Sequence, residues 1–460
     1  MVDRNVSFQR RQHRERIRRQ TRRVEAVDFF NALTGAELLD TTDAYLPEHR
    51  ERLYPPTVTL SMFMKQALNE DRSCQKAVNG WAAQRLAEGL HVHSVRTGGY
   101  CQARTRLPMD MVVALTRETG RLLVSKTPAG WRWRGRVVKL VDGTGISMPD
   151  TLENQARYPQ LSSQAAGVGF PLARLVGVIC LSSGAVLDAK VAPFTGQGHS
   201  ERDLLRAMLG NFCSGDVMLA DAYFCSYFLI ATLQQERVDV LFEQNGSRLT
   251  DFRRGRRLGQ RDHLVRWRKP NSKPQWMTRE QYAAFPDELL VRETEVDGRV
   301  LVTTLLNARQ VPKGDLSNLY AQRWQVELDF RNIKTTLGME VLSCLTPAMV
   351  EKELWVYLLA YNAIRLLMAQ AAYSIGVHPR ELSFKHTVQM WTECTARAVL
   401  GDPTQRSELL RLIAQLSVGN RPGRIEPRAR KRRPKSYPWL KVSRADARRQ
   451  IRTHGHLLCA

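Results

Sequence analysis

Apolar positions in this chain change their spacing twice, and the changes mark out its elements. From 28 to 125 they recur every three to four residues, the period of helices that bury one face. Thr59 precedes such a run from Leu60 to Leu68, and Ser73 precedes another from Cys74 to Leu86. The short turn between them predicts either a helix-turn-helix pair or two neighbours in an ordinary bundle. Pro108, at a first-turn position, opens a third helix through Leu123. At Arg136 the pattern becomes continuous. Val137–Val141, Leu172–Leu181, Ala185–Val191, Val217–Ala220 and Val238–Phe242 predict five strands, with a Ser183-Gly184 turn between the second and third. His199–Leu209 and Tyr223–Glu236 predict helices among them. Residues 245–312 interrupt this series with two more strands, Leu289–Glu295 and Val300–Leu306, beside a basic loop. No Gly or Pro occurs between Asp315 and Thr336, so a helix is predicted there, with Ser317-Asn318 as its cap. Long helices follow from Pro347 to Ala372 and from Arg380 to Val399.

The order β-β-β-α-β-α-β, followed by a later helix, is the plan of a ribonuclease-H-like α/β core. The predicted fold is that core interrupted by a β-rich insertion, with an all-helical N-terminal DNA-binding domain and a helical C-terminal region. The predicted divisions are a basic arm at 1–27, the helical domain at 28–130, and the core at 131–244 and 313–400. The insertion takes 245–312 and a basic C-terminal tail 401–460. Leu354–Ala369 is the most apolar helical stretch. Asn362 and Arg365 interrupt it and it is too short to span a bilayer, so it reads as a core helix and no membrane role is expected.

Charge sharpens this picture. The 460 residues carry a net charge of +24, and the ends hold most of it. Residues 1–23 contribute +7 and residues 421–453 contribute +11, together 18 of the 24. Basic blocks at the ends of a globular body suit a polyanion, because each phosphate contact releases counterions. The prolines of 427–441 predict an extended arm. Eight scattered cysteines without a CxxC pair predict reduced thiols in a cytosol rather than a disulfide framework or zinc finger. His91, His93 and Cys101 are close in sequence but lack a fourth ligand, and they read as structural.

Three acids stand out. Asp142 and Asp221 each end a predicted buried strand, where α/β sheets present ligand-binding groups. Glu327 lies on the predicted 315–336 helix, on one stripe with Tyr320, Arg323 and Lys334. Three carboxylates brought together would suit two Mg²⁺ ions, which prefer hard oxygen donors. Taken singly, each acid also has an ordinary explanation, as a turn, a cap or a solvated helix face.

The register of these motifs adds a resemblance. Tyr320, Arg323, Glu327 and Lys334, with two, three and six residues between them, resemble the Tyr-Arg-Glu-Lys signature of the DDE transposases of bacterial insertion sequences, the IS-four family. Asp142-Gly-Thr144, Asp221-Ala-Tyr-Phe224, Met148–Asn154 and Gly169-Phe-Pro171 are similar to that family's sequence as well, and the likeness runs from about 95 to 445. It implies a bacterial, cytoplasmic, nucleoid-associated enzyme that cuts and joins double-stranded DNA, both transposon ends and target, as a homodimer in a synaptic complex. It implies Asp142, Asp221 and Glu327 as ligands of two Mg²⁺ ions, with Mn²⁺ as a substitute. Tyr320 and Arg323 would hold phosphates beside a base flipped from the transposon end, and Lys334 would contact DNA near the reacting strand. Arg253, Arg254, Arg256 and Arg257 of the insertion are candidate DNA contacts. Trp267, Trp276 and Trp324 are candidate stacking platforms, with Trp267 expected to bind DNA and Trp324 expected in the core. A hairpin intermediate is expected from related enzymes. The alternatives are a structure-specific nuclease on the same fold and a non-catalytic DNA-binding regulator.

Overall fold

The computed structural model describes residues 44–45, 53–87, 89–92, 94–396, 403–418 and 441–455. The N-terminal arm, His93 and nearly all of the Pro-rich segment 427–441 lie outside them. Two short helices, Pro56–Leu68 and Cys74–Ala87, form the expected close pair. Thr59 lies inside the first, while Ser73 accepts from the Lys76 amide at 3.0 Å at the start of the second. The Gly98–Arg106 segment is a further helix, for which no separate run was read from the sequence. Tertiary contacts offset the entropic cost of its two glycines. Tyr100 is fully buried with its hydroxyl 2.9 Å from Gln66 Oε1, and the Arg104 guanidinium lies 4.1 Å from the Phe63 ring centre. The Met109–Ser125 helix follows Pro108 as predicted.

Among the described residues, nine strands form one mixed sheet. They are β1 (Val138–Ser147), β2 (Leu172–Cys180), β3 (Val186–Pro193), β4 (Val217–Ala220), β5 (Asp239–Glu243), β6 (Arg256–Gly259), β7 (Asp262–Arg268), β8 (Glu288–Val296) and β9 (Arg299–Thr303). Their order is β3-β2-β1-β4-β5-β9-β8-β7-β6. Only β1–β4 and β4–β5 pair in parallel. The insertion is therefore an extension of the core sheet, because β9 returns to pair with β5. Asp297 and Gly298 both have positive φ, which forms the tight β8–β9 turn that aligns Val296 with Arg299. Part of the expected basic loop is itself a strand, since Arg256 and Arg257 lie on edge strand β6.

Helices cover both faces of the sheet. On one face, the long Pro347–Ile375 helix, the Met109–Ser125 helix and the Pro56–Leu68 helix share a single apolar cluster with Leu140, Leu175 and Leu219. On the other, the Tyr227–Gln235 helix and Leu205 pack on Val141, Val176 and Met218. The Pro347–Ile375 helix is buried along most of its length, so its apolar stretch is a core helix, as read from the sequence. Gly376 ends it in the left-handed conformation that favours glycine.

The Met109–Ser125 helix approaches β3 so closely that a Cβ on Gly120 would stand 2.5 Å from the Val186 carbonyl oxygen. Alanine is the better helix former, yet backbone has to move to admit it. Gly120→Ala is expected to cost about 1–3 kcal/mol, read as a lower urea midpoint at unchanged slope. A neutral or stabilising result would mean that helix and strand stand further apart.

Candidate active site

The site begins where two parallel strands part. Parallel pairing of β1 with β4 covers Val138–Leu140 and Val217–Leu219 and then stops. Asp142 lies two residues beyond on β1, and Asp221 directly follows β4. Asp142 is expected at a strand end, but β1 continues to Ser147. Asp142, Gly143 and Thr144 remain paired with Gly177, Val176 and Leu175 of β2, so only the β4 side of β1 opens at Asp142. Asp221 Oδ1 accepts from the Tyr223 amide at 2.9 Å, which turns the chain off the strand. The next helix starts at Tyr227, later than predicted, so Asp221 is not its cap.

Asp142 stands in a field of like charge. Its carboxyl is pushed up to about 7, chiefly by burial, with Asp221 and Glu201 adding to the rise. The Gly143 amide, which donates to Oδ1 at 2.8 Å, and Arg323 oppose it. Glu201 was not singled out from the sequence. It opens the Glu201–Arg206 helix behind Ser200, whose side chain accepts from the Asp203 amide in a capping box. Burial raises its carboxyl too, Arg174 opposes, and Asp221 adds. A Cβ on Gly143 would stand 2.4 Å from the Glu201 carboxyl carbon. Glycine after Asp142 therefore gives this fourth acid its place, and an Asp-Gly pair held in mid-strand is the signal that marks it.

The signature segment is helical but not uniform. An α-helix over Lys313–Ala321 passes into a 3₁₀ turn at Gln322–Trp324, an α-helix over Gln325–Arg331 and a π turn at Asn332–Thr336. The cap residues expected at Ser317-Asn318 are interior, because the helix begins four residues earlier, behind Pro312. The side chains of the expected stripe find partners on the segment itself and on the sheet. Tyr320 is buried and its hydroxyl donates to Glu243 Oε2 at 2.8 Å, which pushes its proton affinity up through burial and the Glu243 carboxylate. Arg323 Nη2 donates to Glu327 Oε1 at 3.1 Å, and Lys334 Nζ donates to Thr144 Oγ1 at 3.2 Å. The helix is thus tied to β5 through Tyr320 and to β1 through Lys334.

Among the described residues, no three His, Cys, Asp or Glu side chains stand close enough together to hold a metal ion. Glu327 pairs instead with Arg323, which also acts on Asp142. The donor set still fits a divalent cation in its chemistry, since Asp142 is a half-buried carboxylate with two acidic neighbours opposing its charge.

The insertion meets its expectations unevenly. Arg253 and Arg254 are exposed and pair with Asp251, and Arg256 and Arg257 are exposed on β6. Trp267 is 3% exposed, donates from Nε1 to Glu293 at 2.7 Å, and is covered by Arg248, so as placed it offers no face to DNA. Trp276 is 47% exposed, with the Arg206 guanidinium 4.0 Å from its ring centre. Trp324, expected in the core, is 52% exposed, because the 3₁₀ turn carries it to the surface.

The chain is similar to known proteins in sequence. Residues 133–363 match the family model described as Transposase DDE domain. The chain is 30% identical over 351 residues to Transposase InsG for insertion sequence element IS4 of Escherichia coli (strain K12), across 73% of this chain and 77% of that protein. A solved structure, "Cryo-EM structure of piggyBac transposase synaptic complex with hairpin DNA", covers 88% of each chain at a TM-score of 0.42 and 11% identity, too remote to carry weight. The chain belongs to the DDE transposases, in the IS4 family. It is an enzyme of DNA transposition that binds DNA, and enzymes of this family work with divalent metal ions.

Proposed function

We propose that this transposase binds the terminal inverted repeats of an insertion sequence and moves it by cut-and-paste transposition, with Asp142, Asp221 and Glu327 as its catalytic carboxylates on a ribonuclease-H-like core. The observation that carries this is the placement of Asp142 and Asp221 beside the point where β1 and β4 part, with Glu201 adding to the charge that opposes Asp142. Mg²⁺ is the ion expected there, as a pair, with Mn²⁺ as a substitute, and the three carboxylates would hold it. Such a pair supplies an activated nucleophile and stabilises the leaving oxygen of an in-line displacement.

The remaining residues act through charge and position. Arg323, within reach of both Glu327 and Asp142, turns to a phosphate when Glu327 turns to the metal site. Tyr320 braces that segment against β5 and meets the DNA backbone only by releasing Glu243. Lys334 donates to a neutral hydroxyl, and its ammonium has further donors for a phosphate of the reacting strand. Arg253, Arg254, Arg256 and Arg257 extend the contact along the insertion. A first cut leaves a 3′-OH, which attacks the opposite strand to give a hairpin, and the reopened end joins target DNA. Two ends handled together require a homodimeric synaptic complex, working on the nucleoid in the bacterial cytoplasm.

The test is an oligonucleotide carrying the inverted repeat that flanks the gene, incubated with Mg²⁺ or with EDTA. Hairpin ends and joined products with Mg²⁺, and neither with EDTA, are expected. Nicks without joining would favour a nuclease, and binding without cutting would leave only a regulator.

A further inference from the structure

Asp329 lies two residues after Glu327, about 200° around the helix. It faces the core and is fully buried. Its Oδ1 accepts from Arg365 Nη2 at 2.5 Å and Arg380 Nη1 at 3.1 Å, and its Oδ2 accepts from Arg380 Nη2 at 2.9 Å. The Tyr361 hydroxyl lies 3.0 Å from both Oδ1 and the Gly184 carbonyl oxygen. Arg380 also donates to the carbonyls of Leu181 and Cys180, the latter at 3.2 Å, and to Gln325 Oε1 at 3.3 Å. One carboxylate thus joins the signature segment to the β2–β3 turn, the Pro347–Ile375 helix and the turn at Pro379–Glu381.

This clamp sits where the segment needs one. Between Lys313 and Thr336 the chain passes through α, 3₁₀, α and π geometry, so no single hydrogen-bond ladder sets its rotation. Glu327 lies in the short α stretch between the two irregular turns, and Asp329 is the fully buried charge on that stretch. The guanidinium of Arg365 also packs on Gly184, where a Cβ would stand 2.8 Å from its Cζ. Both arginines are nearly buried themselves, so neither swings freely.

We propose that Asp329, held by Arg365 and Arg380, is a positioning residue that fixes the rotation of the signature helix and so aims Glu327 toward Asp142 and Asp221. The inference rests on Glu327 being a catalytic carboxylate. Arg380→Gln is the informative variant, because it leaves the buried Asp329–Arg365 pair intact and balanced. Mn²⁺ binding to the DNA-free protein, read by electron paramagnetic resonance, is measured beside the Mn²⁺ dependence of end cleavage. Arg380→Gln is expected to raise the half-saturating Mn²⁺ about tenfold in both, with the rate at saturating Mn²⁺ largely recovered. Arg380→Lys, which keeps the charge and part of the donor set, should fall between them. Gly120→Ala lowers stability far from the site and should keep wild-type Mn²⁺ affinity.

A lowered urea midpoint with unchanged Mn²⁺ affinity in both Arg380 variants would overturn the proposal and leave a structural role. A parallel loss of affinity in Gly120→Ala would overturn it as well. Glu327→Gln separates the two levels. Wild-type Mn²⁺ binding and cleavage in that variant would remove the assignment of Glu327 itself.

Discussion

Asp142→Asn is expected to abolish cleavage and joining, by on the order of 10³-fold or more, which corresponds to about 4 kcal/mol of transition-state stabilisation. Binding to the inverted repeat should remain near wild type, because the basic side chains placed on DNA are all elsewhere. The amide nearly matches the carboxylate in shape, so it preserves β1 and the bond from the Gly143 amide while removing the charge that would draw a divalent cation. The same substitution should make the metal-free protein more stable. A half-buried carboxylate opposed by Asp221 and Glu201 is costly to hold, and a neutral amide avoids that cost. Added Mg²⁺ should then raise the melting temperature of the wild type and leave that of Asp142→Asn unchanged. Reduced stability of the variant without metal, or an equal response of both to Mg²⁺, would show that Asp142 is a structural residue. Near-normal cleavage would remove it from the chemistry.

What the chain discloses before folding follows from how local each signal is. The apolar runs of β1, β2, β4 and β5 are continuous because helices cover both faces of the sheet, and such runs can be read one strand at a time. Asp142 and Asp221 were legible for the same reason, since each follows one of those runs. The strands β6 and β7 were not. Arg256 and Arg257 both sit on an exposed edge, where no buried face imposes alternation, so the run reads as a basic loop. The helix at Gly98–Arg106 depends on contacts from Phe63 and Gln66, more than 30 residues away, which no local window contains.

Within the site the division is similar. Spacing aligned Glu327, Arg323 and Lys334, but the pairing of Tyr320 with Glu243 joins two distant elements. Trp267 and Trp324 reversed their expected places because exposure is set by packing. A buried glutamate fixes the indole of one, and a 3₁₀ turn turns the other outward. Glu201 and Asp329 lie on helices whose faces only the assembled sheet defines.

The insertion depends on a buried ion pair, and breaking one side of it is expected to be the most destabilising change outside the active site. Arg292 on β8 is fully buried, with Nε 2.8 Å from Asp262 Oδ1 and Nη2 2.6 Å from Asp262 Oδ2 on β7. Its Nη1 donates to the Val311 carbonyl at 2.6 Å. Val311 lies just before the signature helix, so the pair joins the insertion's strands to the base of the element that carries Glu327. Asp262→Ala would strand the guanidinium without its counter-charge, at a cost of about 3–5 kcal/mol, read as a fall in the urea midpoint. The double variant Asp262→Leu/Arg292→Met should recover most of that loss, because apolar side chains of similar volume often replace a buried pair at little cost. About 1–2 kcal/mol should remain, since the Val311 carbonyl loses its donor. Equal costs for the single and double variants would mean that water already reaches Arg292. Recovery in the double variant would establish that the pair matters chiefly because neither partner can be buried alone.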